Sequence, residues 1–302
     1  MAVRPAKRTA GAVGRIRAWT LVARALMWIP RAPPSLRGGA PFGPGAAVTG
    51  TTSAPGPAIS AQFGDHVAGM AGPYNRLMSD HPAPGFGSLT LEAFLEQLAS
   101  SAPIPGGGSA SAVAAGLAAG LVAMVAGLSV DRPAYAPFAS THARAGAAGR
   151  ELAGRLLGLA DEDAAAYGAF AAAMRLPRGT DAETATRSAA IRAAAVIAAE
   201  VPLRTLEACR DVVLAAEALA GRSNRNAASD LVVASRLAEA AAHGAAENVM
   251  VNVPALGDEE QADELGGRVA TLLAEVADHA ESTRAFVELG ELREPEPEPL
   301  PA

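Results

Sequence analysis

PGGGSASAVAAGLAAGLVAMVAGLSV, residues 105–130, decides the fold. No charged side chain occurs from Ala110 to Val130. A run of that length can cross a bilayer. It is built of Ala and Gly rather than Leu, Ile and Phe, however, and those small residues insert only weakly. The neighbouring segments are amphipathic, so the run is expected to be a buried central helix whose small residues let other helices approach closely.

Outward from it, the helical period repeats. Leu91, Phe94, Leu95 and Leu98 within Leu89–Ser100 recur at i, i+3, i+4 and i+7, the spacing of one helix face. A long helix is expected from Ser140 to Arg175, stopped by Pro177. Another runs from Asp181 to Glu200 and into Pro202, where a kink or restart is expected before Leu219. Ala227–Val253 and Glu259–Leu289 complete the set, with Pro254 and Gly257 between them. No stretch sustains the alternation of a strand.

Composition agrees. Hydrophobic residues are 50% of the 302, but aromatics only 4%, and β-sheet proteins draw on aromatic and β-branched residues. Ala favours helix. The expected fold is all-α, a bundle of about five to seven helices around a buried Gly/Ala-rich central helix. The helical domain is placed at 87–291. Residues 1–86, rich in Pro and Gly after residue 30, are expected to be a disordered leader or to precede the true start. Residues 292–302, ending EPEPEPLPA, are expected to be a disordered acidic tail.

Charge and cysteine count remove whole classes of function. The net charge is −6, but residues 1–64 hold eight basic residues and no acid. The remainder carries 17 basic residues against 31 acids, a poor match to nucleic-acid phosphates. Cys209 is the single cysteine, which excludes a disulfide framework within the chain. The five histidines, His66, His81, His142, His243 and His279, have no metal-ligand spacing, so no metal is expected. No Walker or Rossmann glycine pattern follows a strand.

Several residues carry polar chemistry on packing surfaces. Gly106, Gly107 and Gly108 leave their backbone open, either as a nest for an anion or polar ring edge, or as a tight turn with Ser109 as helix cap. Asp163 shares a helical stripe with Tyr167, Phe170 and Met174. A carboxylate there is expected to be desolvated, with its pKa raised, and either catalytic or tied up by an Arg or a helix end. Asp161 lies on the other side of that helix and is expected to be solvated. Asp230 and Asn248 are five helical turns apart on one face, roughly 27 Å, with Asn252 beside Asn248. Their amides call for inter-helix bonds, a subunit contact or a ligand. Asn226 suits a cap, with Asp230 near the positive helix end.

Taken in order, these segments resemble the cyclodeaminase/cyclohydrolase family, which includes the cyclodeaminase half of formiminotransferase-cyclodeaminase and stand-alone methenyltetrahydrofolate cyclohydrolases. FLEQLASSAPIPGGGS (94–109) carries the family's Pro-Gly-Gly-Gly-Ser mark. GLSVDRPAY (127–135), LADEDAAAYGAFAAAMRLP (159–177), RSAAIRAAAVIAAEVPL (187–203) and SNRNAASDLVVASRLAEAAAHGAAENVMVNV (223–253) match in sequence. One departure is Ser223, where the family usually has Gly before Asn224.

The resemblance implies a folate substrate, no cofactor beyond the tetrahydrofolate derivative, a cytoplasmic setting and a homodimer or higher homo-oligomer. It implies catalytic roles for Asp163 and Asp230. Substrate binding is implied for Gly106, Gly107, Gly108, Ser109, Arg132, Asn224, Asn226, Asn248 and Asn252. With no room for a formiminotransferase half, the expected activity is hydrolysis of 5,10-methenyl- to 10-formyltetrahydrofolate. The alternatives are a formimidoyltetrahydrofolate cyclodeaminase releasing ammonia, and a non-catalytic folate-binding or helical scaffold protein. No nucleic-acid or membrane partner is expected.

Overall fold

The structure is a computed structural model that describes residues 85–295. Six α-helices are described: α1 (Leu91–Leu98), α2 (Gly107–Gly127), α3 (Ala139–Met174), α4 (Asp181–Leu219), α5 (Ala228–Asn252) and α6 (Glu259–Leu289). No strand occurs among the described residues. The charge-free run becomes α2, packed between α3 and α5. Helix α4 joins α3 and α5 to close a four-helix core, and α6 lies across α4 and α5.

Local chemistry sets the helix ends. Thr180 and Glu183 form a reciprocal capping box at the start of α4, and Asp258 caps α6 through the Gln261 N–H. Gly290, at φ 65°, ends α6 in the left-handed conformation that glycine adopts without strain. The core is aliphatic and small. Leu156, Leu206, Leu231, Val122, Val212 and Val276 are fully buried among alanines of α2, α4 and α5. Where α2 crosses α3, a Cβ on Gly149 would stand 2.7 Å from the Ala119 carbonyl oxygen and 2.9 Å from the Ala123 nitrogen. That crossing needs glycine.

Helix α4 runs unbroken through Pro202. Proline has no N–H to give the carbonyl four residues back. Asn252 supplies the missing donor: its Nδ2 lies 2.9 Å from the Ala198 oxygen. No restart follows Pro202: α4 continues to Leu219, and the carbonyl the proline leaves without a donor takes a hydrogen bond from α5 instead.

Other expectations need correction. The apolar face of α1 does not enter the core: Phe94 is buried against Phe86, ring centroids 5.6 Å apart, while Leu91 is 67% exposed. The stripe below Asp163 is only partly covered: Tyr167 is 46% exposed, and Phe170 and Met174 are half-buried. Helix α2 is buried along one face only. Leu117, at 58%, leads an exposed apolar row with Met124 and Leu128. By length and composition α2 is apolar enough to cross a membrane, the one such helix among the described residues.

The leader and the end of the acidic tail, residues 1–84 and 296–302, lie outside the described residues. The tail's first residues are docked. The Arg293 N–H donates to the Gly221 oxygen at 2.8 Å, its guanidinium stacks on Phe286, and Arg222 Nε donates to the Glu294 oxygen.

Candidate active site

The α2 N-terminus has no side-chain cap of its own. Gly106 occupies the cap position in extended backbone, and Gly107 and Gly108 begin the first turn. Ser109 is already in the third helical position, so the expected Ser109 cap is not what forms. Its N–H and its hydroxyl both go to a side chain from α3, the Asp163 carboxylate. Oγ of Ser109 is 2.9 Å from Asp163 Oδ2 and 3.0 Å from the Ala160 oxygen. Asp163 thus serves from another helix where a cap residue would stand, accepting one of the donors that every helix start leaves unpaired.

Gly108 makes this arrangement possible. A Cβ there would land on the Asp163 carboxylate. Burial pushes the Asp163 pKa up, against the Ser109 hydroxyl and amide, which favour the ionised form. The expected desolvation is present, produced by α2 packing rather than by the stripe along α3. No ionisable side chain lies on α2. The acids beside Asp163 are otherwise engaged: Glu162 pairs with Arg204 of α4. Asp161, expected in solvent, instead accepts the Phe86 N–H at 2.7 Å and fastens the chain entering α1.

Asn248 completes this end. Its amide lies over Gly107, where a Cβ would sit 3.4 Å from Nδ2. Nδ2 donates to the Gly244 oxygen at 2.7 Å, and Oδ1 accepts no bond among the described residues. Asn252 donates to the Asn248 oxygen at 2.8 Å as well as to Ala198. Its amide hydrogens are engaged in holding α4 and α5.

The remaining expected residues gather at the opposite end of α2, about 30 Å away along its 21 residues. Asn224 accepts the Asn226 N–H, donates its own N–H to Ser129 Oγ at 2.9 Å, and points Nδ2 at the Leu128 oxygen. Tyr135, not singled out by the sequence, accepts the Arg225 N–H through its hydroxyl at 3.0 Å. Arg132 is exposed and Asp230 is half-buried in the first turn of α5. Within one chain the structure brings Asp163 together with Gly106–Ser109 and Asn248. It does not bring Asp230, Arg132, Asn224 or Asn226 to them. Ser223 causes no strain, because the left-handed residue of that turn is Gly221 at φ 70°.

A cleft of about 440 Å³ lies elsewhere, between α4 and α6, and touches none of the expected site residues. Its cations are engaged: Arg268 pairs with Glu207, as Arg204 does with Glu162. Among the described residues no cluster of three His, Cys, Asp or Glu side chains is placed to hold a metal.

Comparison with known proteins bears on the family and the fold. The family model described as formiminotransferase-cyclodeaminase matches residues 90–271. The chain is 39% identical over 189 residues to the methenyltetrahydrofolate cyclohydrolase of Methylorubrum extorquens, covering 63% of this chain and 91% of that protein. It is 31% identical over 203 residues to the formimidoyltransferase-cyclodeaminase of Rattus norvegicus, covering 67% of this chain but 37% of that longer protein. Among solved structures, formiminotetrahydrofolate cyclodeaminase from Thermotoga maritima superposes with a TM-score of 0.61 at 25% identity, covering 67% of this chain and 97% of that one.

Proposed function

Because the chain belongs to the formiminotransferase-cyclodeaminase family, we propose that it is a one-carbon folate enzyme that hydrolyses 5,10-methenyltetrahydrofolate to 10-formyltetrahydrofolate. The observation that carries this reading is the 39% identity to a methenyltetrahydrofolate cyclohydrolase over 91% of that enzyme's length. The proposed chemistry is acid–base. Water adds to the cationic methenyl carbon and gives one proton to the Asp163 carboxylate. The carbon–N5 bond then breaks, N5 takes that proton from Asp163, and the hydroxyl proton leaves to solvent as the formyl group forms.

A carboxylate suits this cycle because it stabilises the cation when ionised and carries the proton when neutral. A raised pKa brings the two forms closer in energy at working pH. Asn248, with an uncommitted Oδ1 over Gly107, is assigned to substrate placement. The carbon is already cationic, so acid–base chemistry suffices and we assign no cofactor.

Asp230, Arg132, Asn224 and Asn226 reach the reacting end only if another subunit presents them. The exposed apolar row of α2 supports assigning a homodimer or higher homo-oligomer. A cytoplasmic location is assigned, where a free thiol such as Cys209 stays reduced.

The second reading is a cyclodeaminase. It is favoured by the fold match that spans 97% of the Thermotoga maritima cyclodeaminase. In that direction N10 attacks the 5-formimino carbon and ammonia leaves. Methenyl absorbance separates the readings: loss from methenyltetrahydrofolate marks the hydrolase, gain from the formimino compound marks the deaminase. Folate binding with neither change would remove both and leave a non-catalytic protein.

A further inference from the structure

We infer that Ser109 is a positioning residue that follows the charge on Asp163, turning its single hydroxyl proton between that carboxylate and the Ala160 carbonyl. The inference rests on the reading of Asp163 as the proton carrier. Ser109 is fully buried, with Oγ 2.9 Å from Asp163 Oδ2 and 3.0 Å from the Ala160 oxygen. A hydroxyl has one proton to donate and two lone pairs to accept with. Both neighbours are acceptors when Asp163 is ionised, so Ser109 can serve only one of them fully.

Their needs differ. Ala160 lies inside α3, where its oxygen is already placed to accept the helical N–H four residues on. The carboxylate needs the donor more, and receives it. When Asp163 takes up a proton, the carboxyl group donates to Oγ instead, and the Ser109 proton turns to Ala160. In neither state is a buried polar group left unpaired, so the carboxyl can gain and lose a proton without rearrangement of α2 and α3. Neighbouring charges do not duplicate this service. Helix α2 has none, Asp161 holds the Phe86 N–H, Glu162 and Arg204 of α4 are paired, and the α5 group over the glycines is the neutral Asn248.

The test follows the Asp163 carboxyl directly in the full chain. Infrared difference spectra across roughly pH 4 to 9 record the carboxylic C=O band, with Asp163→Asn assigning it. Ser109→Ala removes the hydroxyl from the ionised form. The titration is expected to move up by about one pH unit, since a hydrogen bond to a charged group is worth at least that much. The pH limb of methenyltetrahydrofolate hydrolysis moves with it. Ser109→Thr restores both. Ser109→Cys, with a weaker donor in nearly the same shape, gives an intermediate upward shift and serves if the alanine variant does not fold. An unmoved carboxyl titration in either folded variant overturns the inference. Full turnover by Asp163→Asn would instead overturn the reading of Asp163 as proton carrier, and the infrared shift would still decide the role of Ser109.

Discussion

Replacing Gly108 with alanine separates clearance for Asp163 from the general flexibility of a glycine loop. The new Cβ occupies the position of the Asp163 carboxylate, which must swing away. The lost interaction is its bond from Ser109, 2.9 Å long and made to a charged group when Asp163 is ionised. Such bonds contribute about 1.5–3 kcal/mol. At about 1.4 kcal/mol per decade, kcat/KM for methenyltetrahydrofolate should fall roughly ten- to a hundredfold. Stability should suffer less, because alanine returns up to about 1 kcal/mol of helix propensity at that position.

Gly106 is the control. Its extended backbone suits any residue, and a Cβ there meets only the Pro103 oxygen at 3.5 Å, an ordinary contact. Gly106→Ala should leave activity within about twofold. Gly107→Ala, 3.4 Å from Asn248 Nδ2, should fall between the two. The assay is initial loss of methenyl absorbance, with urea unfolding of each variant run alongside. Equal losses at Gly106 and Gly108 would refute the reasoning, because the glycines would then serve the turn or a ligand rather than leave space for Asp163.

Three further outcomes follow from the packing. Asn252→Ala leaves the Ala198 carbonyl without a donor and should cost about 1–3 kcal/mol, whereas in a Pro202→Ala background the restored backbone N–H should remove most of that cost; additive losses in urea unfolding would show that the two residues are not coupled. Gly149→Ala sets a side chain against the Ala119 and Ala123 backbone and should cost about 1–3 kcal/mol despite the better helix former, so a raised Tm would contradict the close crossing. Burial raises the Asp163 pKa above the ordinary carboxylate value of about 4, so the folded state holds this proton more tightly than the unfolded chain. The resulting stability penalty is absent below that value, grows as pH rises towards the folded pKa, and is complete above it. Asp163→Asn should therefore be at least as stable as the parent near pH 7, an advantage that disappears in acid, and a variant clearly less stable at neutral pH would show that the ionised cap outweighs its desolvation.

How far the sequence reached is clearest at particular residues. The charge-free run, the apolar period and the stop at Pro177 were enough to place the helices, because each is a local signal acting within one or two turns, whereas the caps Thr180 and Asp258 and the left-handed end at Gly290 emerged only with the structure. Asp163 and the glycines could be singled out as unusual residue types in such surroundings. Their meeting could not be derived from spacing, because Ser109 and Asp163 are 54 residues apart and touch only once α2 lies against α3. The same holds for Asn252, whose amide looks like a ligand-binding group until the proline on α4 leaves it a carbonyl to satisfy. Tyr167 and Leu91 erred the other way. Period alone makes them core, but none of the described helices covers them.

The sequence by itself determined that this chain is helical and where its helices lie, because propensity and period act over a few residues. Tertiary structure alone decided what the polar groups do. A carboxylate's charge, an amide's partner and a glycine's necessity are set by whatever a second helix brings within about 3 Å, the range over which hydrogen bonds form.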